Sequence, residues 1–174
     1  MDSYSFYKSL YDRELNRRKD LDTAISLPIT ILTIIVAANS YMLKTENIIY
    51  SLSSLKFKHA VLASLFIALF ISAFYIMRSS NNLFKGFAYK NFALIKDIIA
   101  YETAIKEYNS NVTNDKAIDF KEVILLKIAE FTDSHIIFND KRSRDLYFAR
   151  TYLIISLLLT SVNFLILTLN YIRI

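Results

Sequence analysis

The sequence predicts an all-α membrane protein with three transmembrane helices and a cytoplasmic antiparallel helical hairpin. Three observations predict it. Apolar residues make up 54% of the 174-residue chain, yet 21 Lys and Arg and 16 Asp and Glu are present too, and the two classes lie in separate blocks. Segregation of this kind suits a bilayer rather than a soluble globule. There is one Gly and one Pro, too few turn formers for a sheet protein built from hairpins. Three apolar runs reach the length of about 20 residues that a helix needs to cross a hydrocarbon core. The absence of Cys excludes disulfides and thiolate metal sites within this sequence.

The three runs are residues 21–43, 60–77 and 151–174. The leading 20 residues are acidic as well as basic, and the run that follows exceeds a signal core, so no cleaved signal peptide is expected. Lys and Arg set the orientation. Residues 1–20 hold five, Lys8, Arg13, Arg17, Arg18 and Lys19, and residues 78–150 hold twelve, whereas the loop 44–59 holds three and the far end only Arg173. With three spans the N-terminus and residues 78–150 share a side, and the basic bias makes that side cytoplasmic. Loop 44–59 is then external. The net charge of +5 is accounted for by the same bias, and no direct nucleic-acid binding is expected.

Residues 1–20 read as an amphipathic helix, because Tyr4, Tyr7, Tyr11 and Leu15 share a face. Such a stripe fits either a membrane surface or a face packed on the protein's own cytoplasmic part. In the next segment Phe84, Phe87, Asn91, Leu94, Ile98, Tyr101, Ile105 and Tyr108 alternate three and four apart, a coiled-coil seam with one polar insertion. Its helix is expected to run on from the second span for about 45 Å at 1.5 Å per residue. A turn is expected near residues 109–117, at NSNVTNDK. Asp115, Asp119 and Glu122 read as helix-start chemistry, with a carboxylate metal site as the sharper alternative. The return helix carries Ile124, Ile128, Phe131, His135, Phe138, Arg142, Asp145, Ala149 and Tyr152 at the same spacing, and leads into the third span. Pairing through the turn sets Asn91 near His135, and Phe84 and Phe87 near residues 140–144. Asn81, Asn82, Asn91, His135, Asn139, Asp140, Arg142 and Asp145 are therefore expected to form a polar junction at the base of the hairpin.

Catalytic chemistry is not legible. The two histidines, His59 and His135, have no neighbour that would complete a metal motif, a phosphate loop or a nucleophile elbow. No enzyme activity, metal or cofactor is expected. The spans instead carry small and hydroxylic stripes. Thr23, Ser26, Thr30, Thr33, Ala37 and Ser40 share a face of the first, Ala60, Ser64, Ala68 and Ser72 recur every fourth residue in the second, and Ser156, Thr160, Asn163 and Asn170 lie near one face of the third. Small residues let helices approach closely in lipid. The stripes serve packing within each protomer, or line a pore in a homo-oligomer, and the two uses are compatible. No charge lies within the spans away from their edges, which speaks against proton-coupled transport. Pro28 is expected to kink the first span or mark its true start.

The run FYKSLYDRELNRRKDLDTAISLPITILTIIVAANSY, with the Asn-x-x-Arg core Asn139-Asp140-Lys141-Arg142, resembles small bacterial membrane proteins of anti-phage operons. These are the SLATT-type effectors and the ancillary membrane proteins of RNA-targeting CRISPR systems. The resemblance implies an oligomeric effector that damages or depolarises the bacterial inner membrane during infection. A cytosolic defence protein or a signal nucleotide would be its partner. The alternative is a non-conducting anchor or regulatory subunit that docks a cytosolic nuclease through the hairpin. A third span at the C-terminal end departs from the simplest two-span pattern.

Overall fold

A computed structural model of the chain describes residues 2–46, 55–80 and 86–172. Five α-helices follow in order: α1 (Ser3–Ala24), α2 (Ser26–Glu46), α3 (Leu55–Ser79), α4 (Ile95–Ser110) and α5 (Phe120–Ile172). A 3-10 turn at Asn114–Lys116 precedes α5, and no strand occurs among the described residues. Three helical stretches are long and apolar enough to cross a membrane: Ser3–Lys44, Phe57–Ser79 and Phe120–Leu169.

The joint between α1 and α2 is a single turn residue, Ile25. Pro28 sits in the first turn of α2, where backbone N–H groups lack an intrahelical acceptor in any case, so its missing hydrogen is tolerated. Pro28 therefore sits just inside a true helix start.

Buried positions follow a 3.5-residue repeat on both long helical stretches. Tyr7, Tyr11, Glu14, Arg18, Leu21, Ile25, Pro28, Leu32, Ile35, Asn39 and Met42 alternate four and three apart through α1 and α2, all buried or half-buried. Along α5 the series is Ile128, Thr132, His135, Asn139, Arg142, Leu146, Ala149, Leu153, Ser156, Thr160 and Asn163; all but the half-buried Thr160 are at most 5% exposed. Such a repeat keeps one narrow seam on one side of a helix for as long as it lasts.

The seam differs from the expected one at alternate positions. Ile128, His135, Arg142 and Ala149 lie on it, but between them come Thr132, Asn139 and Leu146, and after them Leu153, rather than Phe131, Phe138, Asp145 and Tyr152, of which Asp145 is buried as well. The aromatic rings flank the seam, half-buried, because a flat ring covers a neighbouring groove while the narrow line of closest approach favours small or polar groups.

The chain divides into two compact units, Met1–Lys19 with Phe87–Asp140, and Asp20–Gly86 with Lys141–Ile174. In the first, residues 87–94 lie antiparallel to α5. Phe87 packs on Phe138 with ring centroids 5.6 Å apart, Tyr89 on His135 at 4.8 Å, and Phe92 on Phe131 at 4.8 Å. The turn ahead of α5 is closed by Asn109, whose amide donates to the Ile118 carbonyl and accepts from the Ile118 N–H, each at 2.9 Å. Asp119 Oδ1 accepts the Lys121 N–H at 2.9 Å, an N-cap bond that satisfies one of the free donors of α5.

The expected continuous helix from residue 79 to residue 109 is not formed. Residues 86–94 are non-helical, and only Ile95–Ser110 is helix. Gly86 lies in this stretch with φ at 63°, a left-handed conformation that an α-helix does not continue through and that costs other residues about 1–2 kcal/mol. The only glycine in the chain is thus a breaker. In α4 the half-buried or buried positions are Ile98, Glu102, Ile105 and Asn109, and Tyr101 and Tyr108 are exposed, again a one-residue offset at alternate positions.

In the second unit, Leu21, Ile25, Ile76, Leu146 and Ala149 form one apolar cluster, and Ile35, Leu65, Leu69 and Leu153 form another. Their order along the chain makes α2 parallel and α3 antiparallel to the second part of α5.

Candidate functional site along α5

The seam of α5 carries polar groups along its length, and they fall into three clusters. In the first unit His135 has no exposed surface. Its Nε2 lies 3.2 Å from the Lys90 carbonyl, so Nε2 carries a hydrogen and donates, since a carbonyl only accepts. Tyr11 meets the ring edge-on at 5.5 Å, and Tyr89 covers it at 4.8 Å. Arg18 stands 4.3 Å over the Tyr89 ring, a cation–π contact. One turn along α5, Asn139 accepts from the Tyr89 hydroxyl at 3.0 Å and donates to the Glu14 carbonyl and carboxylate at 2.9 and 3.1 Å. Glu14 is buried, and Arg13 and Arg17 pair with its two oxygens. Arg17 also reaches the exposed Asp140 at 2.6 Å. Burial holds the His135 imidazole below its ordinary pKa, and the Arg18 charge adds to this against the Lys90 carbonyl and Glu14.

In the second unit Arg142 is wholly buried. It donates to the Ser79 carbonyl at 2.8 Å and pairs with Asp22. The Asp145 carboxylate, also buried, pairs with Arg78 at 3.0 Å. These two ion pairs tie α1, α3 and α5 together at one level.

Beyond them the helices meet through small residues. Ser79 donates to the Arg142 carbonyl and Ser72 to the Ala149 carbonyl, both at 3.0 Å. The donors are one heptad apart on α3, and the acceptors are one heptad apart on the antiparallel α5. Continued at that repeat, the register sets Leu65 level with Ser156 and Lys58 level with Asn163; all eight residues are at most 3% exposed. On α2, Asn39 donates to Thr160 at 2.9 Å and to the Ile35 carbonyl at 2.8 Å. Neither polar atom of the Asn163 side chain has a partner.

The residues singled out in the sequence divide accordingly. His135, Asn139, Arg142, Asp145, Ala68, Ser72, Ser156 and Asn163 are buried on the seams, and Thr160 is half-buried. Ala60 and Ser64 are exposed, and so is the whole stripe of Thr23, Ser26, Thr30, Thr33, Ala37 and Ser40. Its hydroxyls bond back to their own helix, as Thr30 does to the Ser26 carbonyl at 3.1 Å and Thr33 to the Ile29 carbonyl at 2.9 Å. Asn91 is exposed, and its neighbours Tyr89 and Lys90 face His135 instead. The segment around Asn91 is extended rather than helical, which changes which side chains point inward. Asn81, Asn82 and the side chain of Asn170 lie outside the described residues.

Sequence reasoning missed Glu14, Arg18, Asp22, Asn39, Arg78, Ser79 and Tyr89. A signal existed for three of them: extending the 3.5-residue repeat back from Ile35 and Leu21 lands on Glu14 and Arg18, and forward from Ile35 on Asn39. Among the described residues no three His, Cys, Asp or Glu side chains gather as a metal site. No family model matches the chain, and no curated protein or solved structure matches it.

Proposed function

We propose that this chain is a multi-pass protein of the bacterial inner membrane that assembles into a homo-oligomer and forms or gates a pore in anti-phage defence. The first unit, a helical hairpin with α1 laid on it, is cytoplasmic in this reading and receives the activating signal. The observation that carries it is the exposed stripe of Thr23 at the end of α1 and Ser26, Thr30, Thr33, Ala37 and Ser40 on α2. Polar groups of α3 and α5 are largely consumed inside the protomer, whereas this stripe lies opposite the buried face of α2. Hydroxyls bonded to their own backbone are compatible with lipid, and small side chains allow a second helix to approach.

The experiment is the mass of the detergent-extracted protein, followed by conductance in liposomes. An oligomer that Thr30→Leu or Thr33→Leu dissociates, with leak that falls in parallel, supports the reading; a monomer removes it. A second reading is a non-conducting anchor that docks a cytosolic defence nuclease. It is favoured by Leu94, Ile95 and Ile99, which stand well exposed at the start of α4 and offer an apolar surface to a protein partner. An oligomer that never leaks under activating conditions selects this second reading.

A further inference from the structure

We propose that His135 is an acid-sensitive latch: it holds the N-terminal part of α1 on the first unit, and a second proton on the imidazole releases it. The inference does not depend on pore formation. It follows from where the second proton would have to go. Nε2 already carries a hydrogen for the Lys90 carbonyl, so the incoming proton must sit on Nδ1. That atom is buried and has no hydrogen-bond partner, and the ring has no exposed surface through which water could serve it.

The surroundings offer little compensation. From α1, Tyr11, Glu14 and Arg18 face the cluster. Tyr11 presents a ring edge, and Arg18 repels a second cation. Glu14 is the anion that favours a charged ring, and Arg13, Arg17 and Asn139 already engage it. From residues 86–94 come the Tyr89 ring and the Lys90 carbonyl, while the Lys90 ammonium is held by Glu130 at 2.7 Å. On α5 itself Asn139 is neutral, with its amide committed to Glu14 and Tyr89. An imidazolium is therefore accommodated only if Tyr11 and its helix move aside and admit water. The sign follows: the docked form binds fewer protons, so docking is fully stabilised above the ordinary His value of about 6.5 and is lost as pH falls from there toward the depressed native value.

The chain lacks cysteine, so Asn16→Cys on α1 and Asp133→Cys on α5, both exposed sites, can carry spin labels in the full-length protein. The expected result is a narrow distance distribution at about pH 7.5 that broadens by about pH 5.5, the open-to-docked ratio rising by up to tenfold per pH unit. His135→Gln keeps an N–H for the Lys90 carbonyl and should abolish the response. A response that persists in His135→Gln overturns the proposal. Should that variant fail to fold, NMR titration of His135 itself decides, with His59→Gln removing the other imidazole signal. Protonation of His135 without any change in the spin-label distance overturns it equally.

Discussion

Replacing Ala149 by Leu tests the contact on which the second unit is built. Ala149 has no exposed surface, and its carbonyl accepts from Ser72 at 3.0 Å across two helices. A hydroxyl on so short a side chain reaches a backbone oxygen of the neighbouring helix only if the two helices lie close, and Leu adds three carbons where there is no room. Overpacking of this kind costs about 1–3 kcal/mol. Pushing the helices apart also removes the Ser72 bond, worth about 0.6 kcal/mol in a membrane protein, so the expected loss is about 2–4 kcal/mol. Ser72→Ala should cost only the smaller part. Leu157→Ala, on the exposed face, should cost close to nothing in lipid, where the tails are as apolar as the side chain. Unfolding of the full chain by SDS in mixed micelles gives all three values. An Ala149→Leu protein no less stable than Ser72→Ala would refute the close approach of α3 and α5 at this level.

Two further outcomes follow from single residues. Gly86→Ala should destabilise the protein by about 1–2 kcal/mol in the same assay, since its φ of 63° is strained for any side chain; an unchanged midpoint would show that the break after α3 does not need a left-handed residue. Asn163→Leu should stabilise by about 1 kcal/mol or more, because both amide atoms are buried without a partner; a marked loss of stability would mean that the amide is bonded in the folded protein.

Three helices long and apolar enough to cross a membrane were legible because the length of an apolar run is a bulk property of the sequence. The 3.5-residue repeat of α5 was legible at Ile128, His135, Arg142 and Ala149, and misread at the positions between. There Phe131 and Phe138 were weighted over Thr132 and Asn139 because bulk is the usual sign of a core. A seam that meets backbone across Ser72, Ser79 and Ala149 selects for smallness instead, and nothing in one sequence announces that preference. Glu14 escaped for a related reason: a carboxylate on an apolar stripe reads as an end of the stripe unless its partners are known. Gly86 was overlooked as a breaker because the seven-residue rhythm from Phe84 to Tyr108 continues across it, although its backbone does not.

Both units place polar groups inward, but for different physical reasons. In a bilayer, where the proposed function sets the second unit, lipid tails would solvate Leu, Ile and Phe as well as a protein interior does, so apolar side chains would gain little from burial and polar ones would gain a partner. No such argument applies to the first unit if it stands in water, and there the buried Glu14 and Asn139 must justify themselves through each other. Asn139→Leu leaves the Glu14 carboxylate and carbonyl without their amide donor and should cost about 1–3 kcal/mol. Glu14→Leu removes the carboxylate acceptor of that amide and leaves it only the backbone carbonyl of residue 14. With both replaced neither the carboxylate nor the amide is left facing an absent partner, so the double variant should be less destabilised than the two single losses added, by about 1–3 kcal/mol of coupling. Spin-label distances between Asn16→Cys and Asp133→Cys, followed through a denaturant series, report the stability of this docking in all four proteins. Strictly additive losses would mean that the bond between the Glu14 carboxylate and the Asn139 amide contributes nothing to where α1 sits.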